Sequence, residues 1–159
     1  MNEVENADAL QAIFSGETYL VPEKRKVKLF SSGAIHSEKL KLLFILKNEN
    51  VETASQSELE VIQKTADWKD LKLKREEVGI INIASQPTSV VNILKQFSVN
   101  NIVALGVEPQ EIGLVIELHT NKVFKFIDMN FIFTSSIEEL LKNEIIKNKF
   151  FAAIKSMFK

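Results

Sequence analysis

The stretch that most constrains the fold is a run of four apolar residues, 102–105 (IVAL), which ends at Gly106. A strand that is apolar on both faces must be covered on both faces, which is typical of the middle of a parallel sheet. The residues before it, 90–97, repeat apolar side chains at helical spacing. Residues 88–107 therefore predict a helix that leads into a buried central strand.

Three further apolar runs have the length of buried strands: residues 42–46 (LLFIL), 77–83 and 131–133 (FIF). Capping-box patterns at Ser55 and Ser136 predict that helices begin there. Short apolar runs that alternate with helices of roughly 10–15 residues indicate repeated crossovers onto a parallel sheet. The sequence therefore predicts an α/β fold, a three-layer α/β/α sandwich around a mainly parallel sheet of about four strands.

Residues 114–127 interrupt this alternation. Two partly apolar segments, LVIEL and KVFKFI, flank His-Thr-Asn, which predicts either a hairpin or one strand followed by a loop. Beyond the last strand, Asn143 is a candidate N-cap for a final helix.

The division into units is predicted as residues 1–24, a partner-binding segment, and residues 25–159, a single α/β/α domain. The N-terminal unit combines a short amphipathic helix with an extended piece. An apolar terminal segment of this kind either packs on its own domain or docks into a partner's groove. The side chains that would make the contact are Leu10, Ile13, Phe14, Tyr19 and Leu20.

Composition narrows the class of protein. The net charge of −1 over 159 residues argues against a chain devoted to wrapping nucleic acid, although local basic patches remain compatible with it. The chain has no cysteine, which excludes disulfides and thiolate chemistry and fits a reducing cytoplasm. No apolar run approaches ~18 residues, and the acidic N-terminus does not resemble a secretory signal. A cytoplasmic protein without a membrane span is expected.

Ligands of such sheets usually bind beyond the carboxyl ends of the strands. No glycine pattern of a dinucleotide or P-loop site occurs there, and neither histidine has a second ligand at metal spacing. We therefore assign no catalytic residue, cofactor or metal ligand. The polar side chains expected at the strand ends are Asn48, Glu49, Ser85, Glu108 and Ser135.

Most aromatic residues are assigned to the core because they lie in apolar strands or on apolar helix faces. Trp68 is ambiguous, since it stands beside Lys69 and Lys72. A half-buried structural role is favoured for it over base stacking.

The order of elements resembles the psi subunit of the bacterial DNA polymerase III clamp loader. The resemblance rests on ALQAIFSGETYLVPEKR near the N-terminus, LKLLFILKNEN at the first strand, and ELLKNEIIKNKFFAAI at residues 139–154. It covers most of the chain, in pattern rather than in identity. It implies a fold similar to that of uracil-DNA glycosylases, without their activity.

The comparison with glycosylases depends on two loops. Those enzymes have a Gly-Gln-Asp-Pro type loop after the first core strand and a His-Pro-Ser type loop after the last. This chain has KNEN at residues 47–50 and TSSI at 134–137, without the glycine, proline or histidine. The resemblance therefore implies a non-catalytic protein, in which the five polar residues of the strand ends form a vestigial pocket.

The resemblance also implies partners. The N-terminal segment would insert into a clamp-loader ATPase subunit, and another face would carry a chi-like adaptor for single-stranded-DNA-binding protein. Contact with single-stranded DNA would then be indirect. Two alternatives stay open: a glycosylase-fold enzyme or nucleotide-binding protein acting on DNA bases through Asn48, Glu49 and Ser135, and an unrelated α/β interaction domain.

Overall fold

A computed structural model describes residues 27–29, 39–117, 119–126 and 128–159. The predicted partner-binding residues Leu10, Ile13, Phe14, Tyr19 and Leu20 lie outside these ranges. The division at residue 24 stays a prediction for the same reason.

The secondary structure alternates between strands and helices along the chain. The strands are β1 Lys39–Leu40, β2 Leu42–Leu46, β3 Val78–Asn82, β4 Ser98–Val99, β5 Asn101–Leu105, β6 Val123–Phe126 and β7 Met129–Thr134. The α-helices are α1 Gln56–Ala66, α2 Val90–Gln96, α3 Ile137–Lys142 and α4 Glu144–Met157. Short 3-10 segments cover Lys69–Leu71, Arg75–Glu77 and Pro109–Ile112.

Five strands form one sheet in the order β3-β2-β5-β7-β6, while β1 and β4 pair separately. β3, β2, β5 and β7 are parallel, and β6 runs antiparallel to β7. β5 therefore has a parallel neighbour on each side, and all five of its residues are buried. The prediction of a central strand from its apolar run is confirmed.

Apolar clusters cover both faces of the sheet. Leu42, Phe44 and Leu46 pack in one cluster with residues of α1, α3 and α4. Leu43 and Ile45, which point the other way, pack in a second cluster with residues of α2 and of the segment after β5. The described residues thus form a mixed α/β fold with a parallel-rich sheet and four α-helices.

The helix starts follow local sequence signals. Ser55 Oγ accepts a hydrogen bond from the backbone N of Glu58 at 3.3 Å, and Glu58 Oε2 accepts one from the backbone N of Ser55 at 2.6 Å. This capping box satisfies backbone donors that the first turn of α1 leaves without partners. Ser136 and Asn143 cap α3 and α4 in the predicted places, and Ser89 caps α2.

The prediction for residues 114–127 is confirmed for the segment KVFKFI, which contains β6, and wrong for the segment LVIEL. Residues 114–117 form no strand, and the hairpin lies later in the chain, between β6 and β7. Leu114 is buried in the second cluster, whereas Val115 is exposed. Leu114 and Ile116 pack with residues of α2 in the second cluster, so this segment covers one face of the sheet. The hairpin adds a fifth, antiparallel strand to the four that were predicted.

Gly106 allows the end of β5 to approach the start of α3. Its φ is +64°, a left-handed conformation that glycine adopts at little cost. A Cβ at this position would lie 3.1–3.3 Å from atoms of Ser136. The loops that follow β5 and β7 are therefore brought close together at one edge of the sheet.

Candidate functional site

The carboxyl ends of β2, β3, β5 and β7 form one edge of the sheet, the carboxyl edge. The five polar residues predicted there fall into two groups among the contacts of the described residues. Asn48 and Ser85 bind the loops that follow β2 and β3, whereas Glu108 and Ser135 line a cavity between the ends of β5 and β7. Glu49 is exposed in the loop after β2.

The first group is organised by Asn82, the last residue of β3, which the sequence analysis missed. Asn82 is fully buried, and its Oδ1 accepts hydrogen bonds from the backbone N atoms of Asn48 at 3.0 Å and Ala84 at 3.1 Å. Its Nδ2 donates to the carbonyl oxygens of Asn48 at 2.8 Å and Val51 at 2.9 Å. One side chain therefore holds the loop after β2 against the end of β3.

The side chains of Asn48 and Ser85 stabilise the same loop. Asn48 Nδ2 donates to Glu58 Oε2 at 2.9 Å, and Asn48 Oδ1 accepts from the backbone N of Asn50 at 3.0 Å. Ser85 Oγ donates to the carbonyl oxygen of Glu52 at 2.6 Å. Such local bonds between polar side chains and backbone groups are typical of residues that fix loop conformation.

An ion pair bridges the crevice between β2 and β5, where the direction of the crossovers reverses and α/β proteins usually bind ligands. Lys47 Nζ lies 2.6 Å from Glu111 Oε1, and Glu111 Oε2 accepts from the backbone N of Glu108 at 2.9 Å. The hydrogen bonds from Lys47 and Glu108 hold the pKa of the Glu111 carboxyl below its ordinary value. The same bond to Glu111 raises the pKa of the Lys47 ammonium.

We expect Glu111→Gln to weaken the acid sensitivity of the fold. The pKa of Glu111 is lowered in the folded state from the ordinary value of 4.5. The carboxylate therefore contributes stability above that pH, and the contribution is lost as the pH falls through the folded-state pKa. Urea unfolding at roughly pH 7 and pH 3 should show a difference between wild type and variant that shrinks at the lower pH.

The exposed acid Glu138 provides the control for this experiment. The Glu138→Gln variant should follow the wild type at both pH values more closely than Glu111→Gln does. A difference between wild type and Glu111→Gln that stays constant with pH would contradict the role of this ion pair.

The carboxyl edge is acidic. The loops after the parallel strands, residues 47–52, 83–86, 106–111 and 134–139, contain six acidic residues, two in each of three loops, and one basic residue, Lys47. Two further lysines lie beside these loops: Lys28, whose backbone bonds to Gln86, and Lys122, which follows the Asn121 that bonds to Thr134. A phosphate backbone that approached this edge would meet net repulsion. Direct binding of DNA at the carboxyl ends of the strands is therefore disfavoured.

The cavity at Glu108 and Ser135 has a volume of about 300 Å³. Its lining also includes Thr120, Ser136 and Glu139, and none of the described residues that line it has a basic side chain or an imidazole. These residues can accept hydrogen bonds, but they provide no cation for a phosphate and no histidine for acid–base chemistry.

Among the residues that the structure describes, no cluster of three or more histidine, aspartate or glutamate residues could hold a metal ion. His119 is exposed in the segment before β6. None of the helices in the described ranges is both long and apolar enough to cross a bilayer.

No protein-family model matches this sequence, and comparison with curated proteins gives no significant match. The assignment of function therefore depends on the residues themselves and on the psi-like pattern.

Proposed function

We propose that this chain is a non-catalytic, psi-like subunit of the bacterial DNA polymerase III clamp loader in the cytoplasm. In this role it joins a clamp-loader ATPase subunit to a chi-like adaptor for single-stranded-DNA-binding protein. The resemblance supports the choice of partners. The observation that carries the non-catalytic role is that the side chains of Asn48, Ser85 and Glu111 all bind groups of their own chain.

The same proposal includes a three-layer α/β/α sandwich of the uracil-DNA glycosylase type. It is supported by the packing of α1, α3 and α4 on one face of the sheet and of α2 on the other. The acidic carboxyl edge also favours a protein without glycosylase activity, because such an enzyme must hold the phosphates next to its target base.

An apolar surface at the junction of α3 and α4 supports a protein-binding role. Leu141 and Ile145 are 53% and 68% exposed, and both are large apolar residues. Exposed apolar side chains at one site are typical of surfaces that bind other proteins. We assign this junction to the adaptor, because the N-terminal segment is assigned to the ATPase.

Affinity purification of the tagged, full-length chain from its own host tests the proposal. We expect clamp-loader ATPase subunits and an adaptor to copurify, and we expect deletion of residues 1–22 to remove the ATPase. The double substitution Leu141→Ser and Ile145→Ser should remove the adaptor and leave the ATPase bound. Circular dichroism and urea unfolding establish that each variant still folds.

Two outcomes would contradict this proposal in different ways. Recovery of the ATPase with the truncated chain would overturn the role of the N-terminal segment. Recovery of no replication protein with the full-length chain would overturn the psi-like function and favour an unrelated interaction domain.

The cavity between β5 and β7 favours a second candidate, a glycosylase-fold enzyme or nucleotide-binding protein that acts on DNA bases. Its volume of about 300 Å³ is at the lower end of the range for ligand pockets. Incubation with a uracil-containing single-stranded oligonucleotide decides between the candidates. Release of uracil that is lost in Ser135→Ala, whose serine lines the cavity, would replace the accessory role, and no release would support it.

A further inference from the structure

The charges of the described residues are segregated between the two ends of the sheet. Opposite the acidic carboxyl edge, residues 39–41, 67–77 and 155–159 form a surface that we call the basic edge. It contains eight basic and four acidic side chains. The basic ones are Lys39, Lys41, Lys69, Lys72, Lys74, Arg75, Lys155 and Lys159.

Contacts join the three segments into one surface. Lys41 Nζ lies 2.9 Å from Glu77 Oε1, which connects the start of β2 to the 3-10 segment before β3. Lys155 Nζ lies 3.7 Å from Asp70 Oδ2, which connects the end of α4 to the loop after α1. The basic side chains therefore belong to a single, continuous part of the molecule.

Most acidic residues of this surface are already paired. Glu77 and Asp70 have the partners just named, and Asp67 Oδ2 lies 3.1 Å from Arg75 Nη2. By contrast, three exposed lysines form no ion pair within the described part of the chain. They are Lys69, Lys72 and Lys159.

The backbone of Lys72 adds a second observation. Its φ of +51° lies in the left-handed region, which side chains other than glycine, asparagine and aspartate rarely adopt. Lys72 adopts it as the C-cap of the 3-10 segment, where its backbone N–H donates to the carbonyl oxygen of Lys69. Glycine would adopt this conformation with less strain, yet the residue at this position, between the 3-10 segment Lys69–Leu71 and β3, is a lysine.

An aromatic surface lies among these lysines. Trp68, the single tryptophan of the chain, is half-buried and packs edge-on against Phe151, with 6.1 Å between the ring centroids. The half-buried position expected for Trp68 is confirmed, and the residue stays partly exposed next to Lys69. Aromatic side chains flanked by lysines are typical of proteins that bind single strands, because bases stack on the rings while cations hold the phosphates.

We propose that the basic edge binds single-stranded nucleic acid directly. Lys69, Lys72 and Lys159 contact phosphates, and a base stacks on Trp68. This activity goes beyond the accessory role, in which contact with single-stranded DNA is indirect. Three phosphate contacts correspond to a slope of about −2 in a plot of log affinity against log salt concentration.

Fluorescence anisotropy of a labelled oligothymidylate, titrated with the full-length protein, tests this proposal. We expect saturable binding with the salt slope given above and quenching of Trp68 fluorescence that follows the same binding curve. Because the chain has one tryptophan, the quenching reports on this site alone. A duplex of the same length should bind more weakly, since its bases are not available for stacking.

Matched variants locate the site. The double substitution Lys69→Glu and Lys72→Glu should weaken binding by at least about tenfold, because it reverses two phosphate contacts. Lys125→Glu is the control, since Lys125 is exposed on β6 at the opposite end of the strand order from β3. Trp68→Phe should weaken binding while leaving the salt slope unchanged.

Three results would overturn the proposal. The first is unchanged affinity in the Lys69→Glu and Lys72→Glu variant with normal circular dichroism. The second is the absence of binding at roughly 50 mM salt, where electrostatic contacts are strong. The third is binding of heparin as tight as that of the oligonucleotide, together with Trp68 fluorescence that does not change when the oligonucleotide is added. This result would indicate a surface that binds any polyanion.

Discussion

Replacement of Asn82 by alanine is expected to lower the free energy of unfolding by about 3–5 kcal/mol. The change removes a buried acceptor for the backbone N atoms of Asn48 and Ala84 and a buried donor to the carbonyl oxygens of Asn48 and Val51. Each buried group left without a partner costs roughly 1–3 kcal/mol, and water that enters the loop recovers part of the sum. Chemical denaturation measured by circular dichroism gives the loss directly.

The Asn82→Asp variant keeps the shape of the side chain and changes its hydrogen bonding. Aspartate keeps the acceptors but places a carboxylate oxygen opposite the carbonyl oxygens that the Asn82 amide now binds. Burial and this repulsion raise the pKa of the new carboxyl, so its deficit in stability should be large at neutral pH and should shrink as the pH falls. Asn50→Ala, at an exposed position of the same loop, is the control and should change little. Wild-type stability in Asn82→Ala would contradict the role given to this residue.

Replacement of Phe44 by alanine is expected to lower the free energy of unfolding by about 3–5 kcal/mol. Phe44 is fully buried in the middle of β2, and its backbone pairs with Ile80 on one side and Val103 on the other. The loss should appear as a lower denaturation midpoint with an unchanged dependence on denaturant, because the folded state keeps its extent of burial.

Phe124→Ala is the matched control for Phe44→Ala. Phe124 is half-buried on the antiparallel edge strand β6, so its removal exposes less apolar surface and leaves a smaller cavity. The expected loss is about 1–2 kcal/mol. Equal losses at the two positions would contradict a core centred on the parallel strands.

The elements that local chemistry determines could be predicted from the sequence. A continuous apolar run such as residues 42–46 or 102–105 has few arrangements other than a strand covered on both faces. Ser55 and Glu58 reveal the start of α1 because both partners of the capping box lie within one turn. The predictions of these strands and of this helix start are confirmed.

The features that depend on distant contacts could not be predicted in this way. Asn82 gains its importance from loop groups about 30 residues away, and a single asparagine at the end of a strand does not identify them. The nearest signal was the asparagine-rich loop at residues 47–50, which needs a buried polar partner. Residues 114–117 resemble a strand in sequence because their apolar side chains serve a different purpose, the covering of the sheet.

The segregation of charge also emerges only with the topology. The sequence has nearly balanced charges, with 20 basic and 21 acidic residues. The crossovers place the acidic loops at one end of the parallel strands and the lysine-rich segments at the other. Net charge alone therefore argued only against a chain devoted to wrapping nucleic acid, and the basic edge is a local patch of the kind that it left open.

The central position of β5 has a consequence for synthesis of the chain on the ribosome. Phe44 of β2 pairs with Val103 of β5 in the folded sheet. At 5–20 residues per second, Val103 is translated roughly 3–12 s after Phe44. Ile80 of β3 is made 36 residues after Phe44, so for the rest of the interval β3 is the one sheet neighbour of β2 that has been synthesised. The other edge of β2, made of apolar residues, is then without its partner strand. The rate of translation between β3 and β5 therefore sets how long this chain is prone to aggregate before its sheet can close.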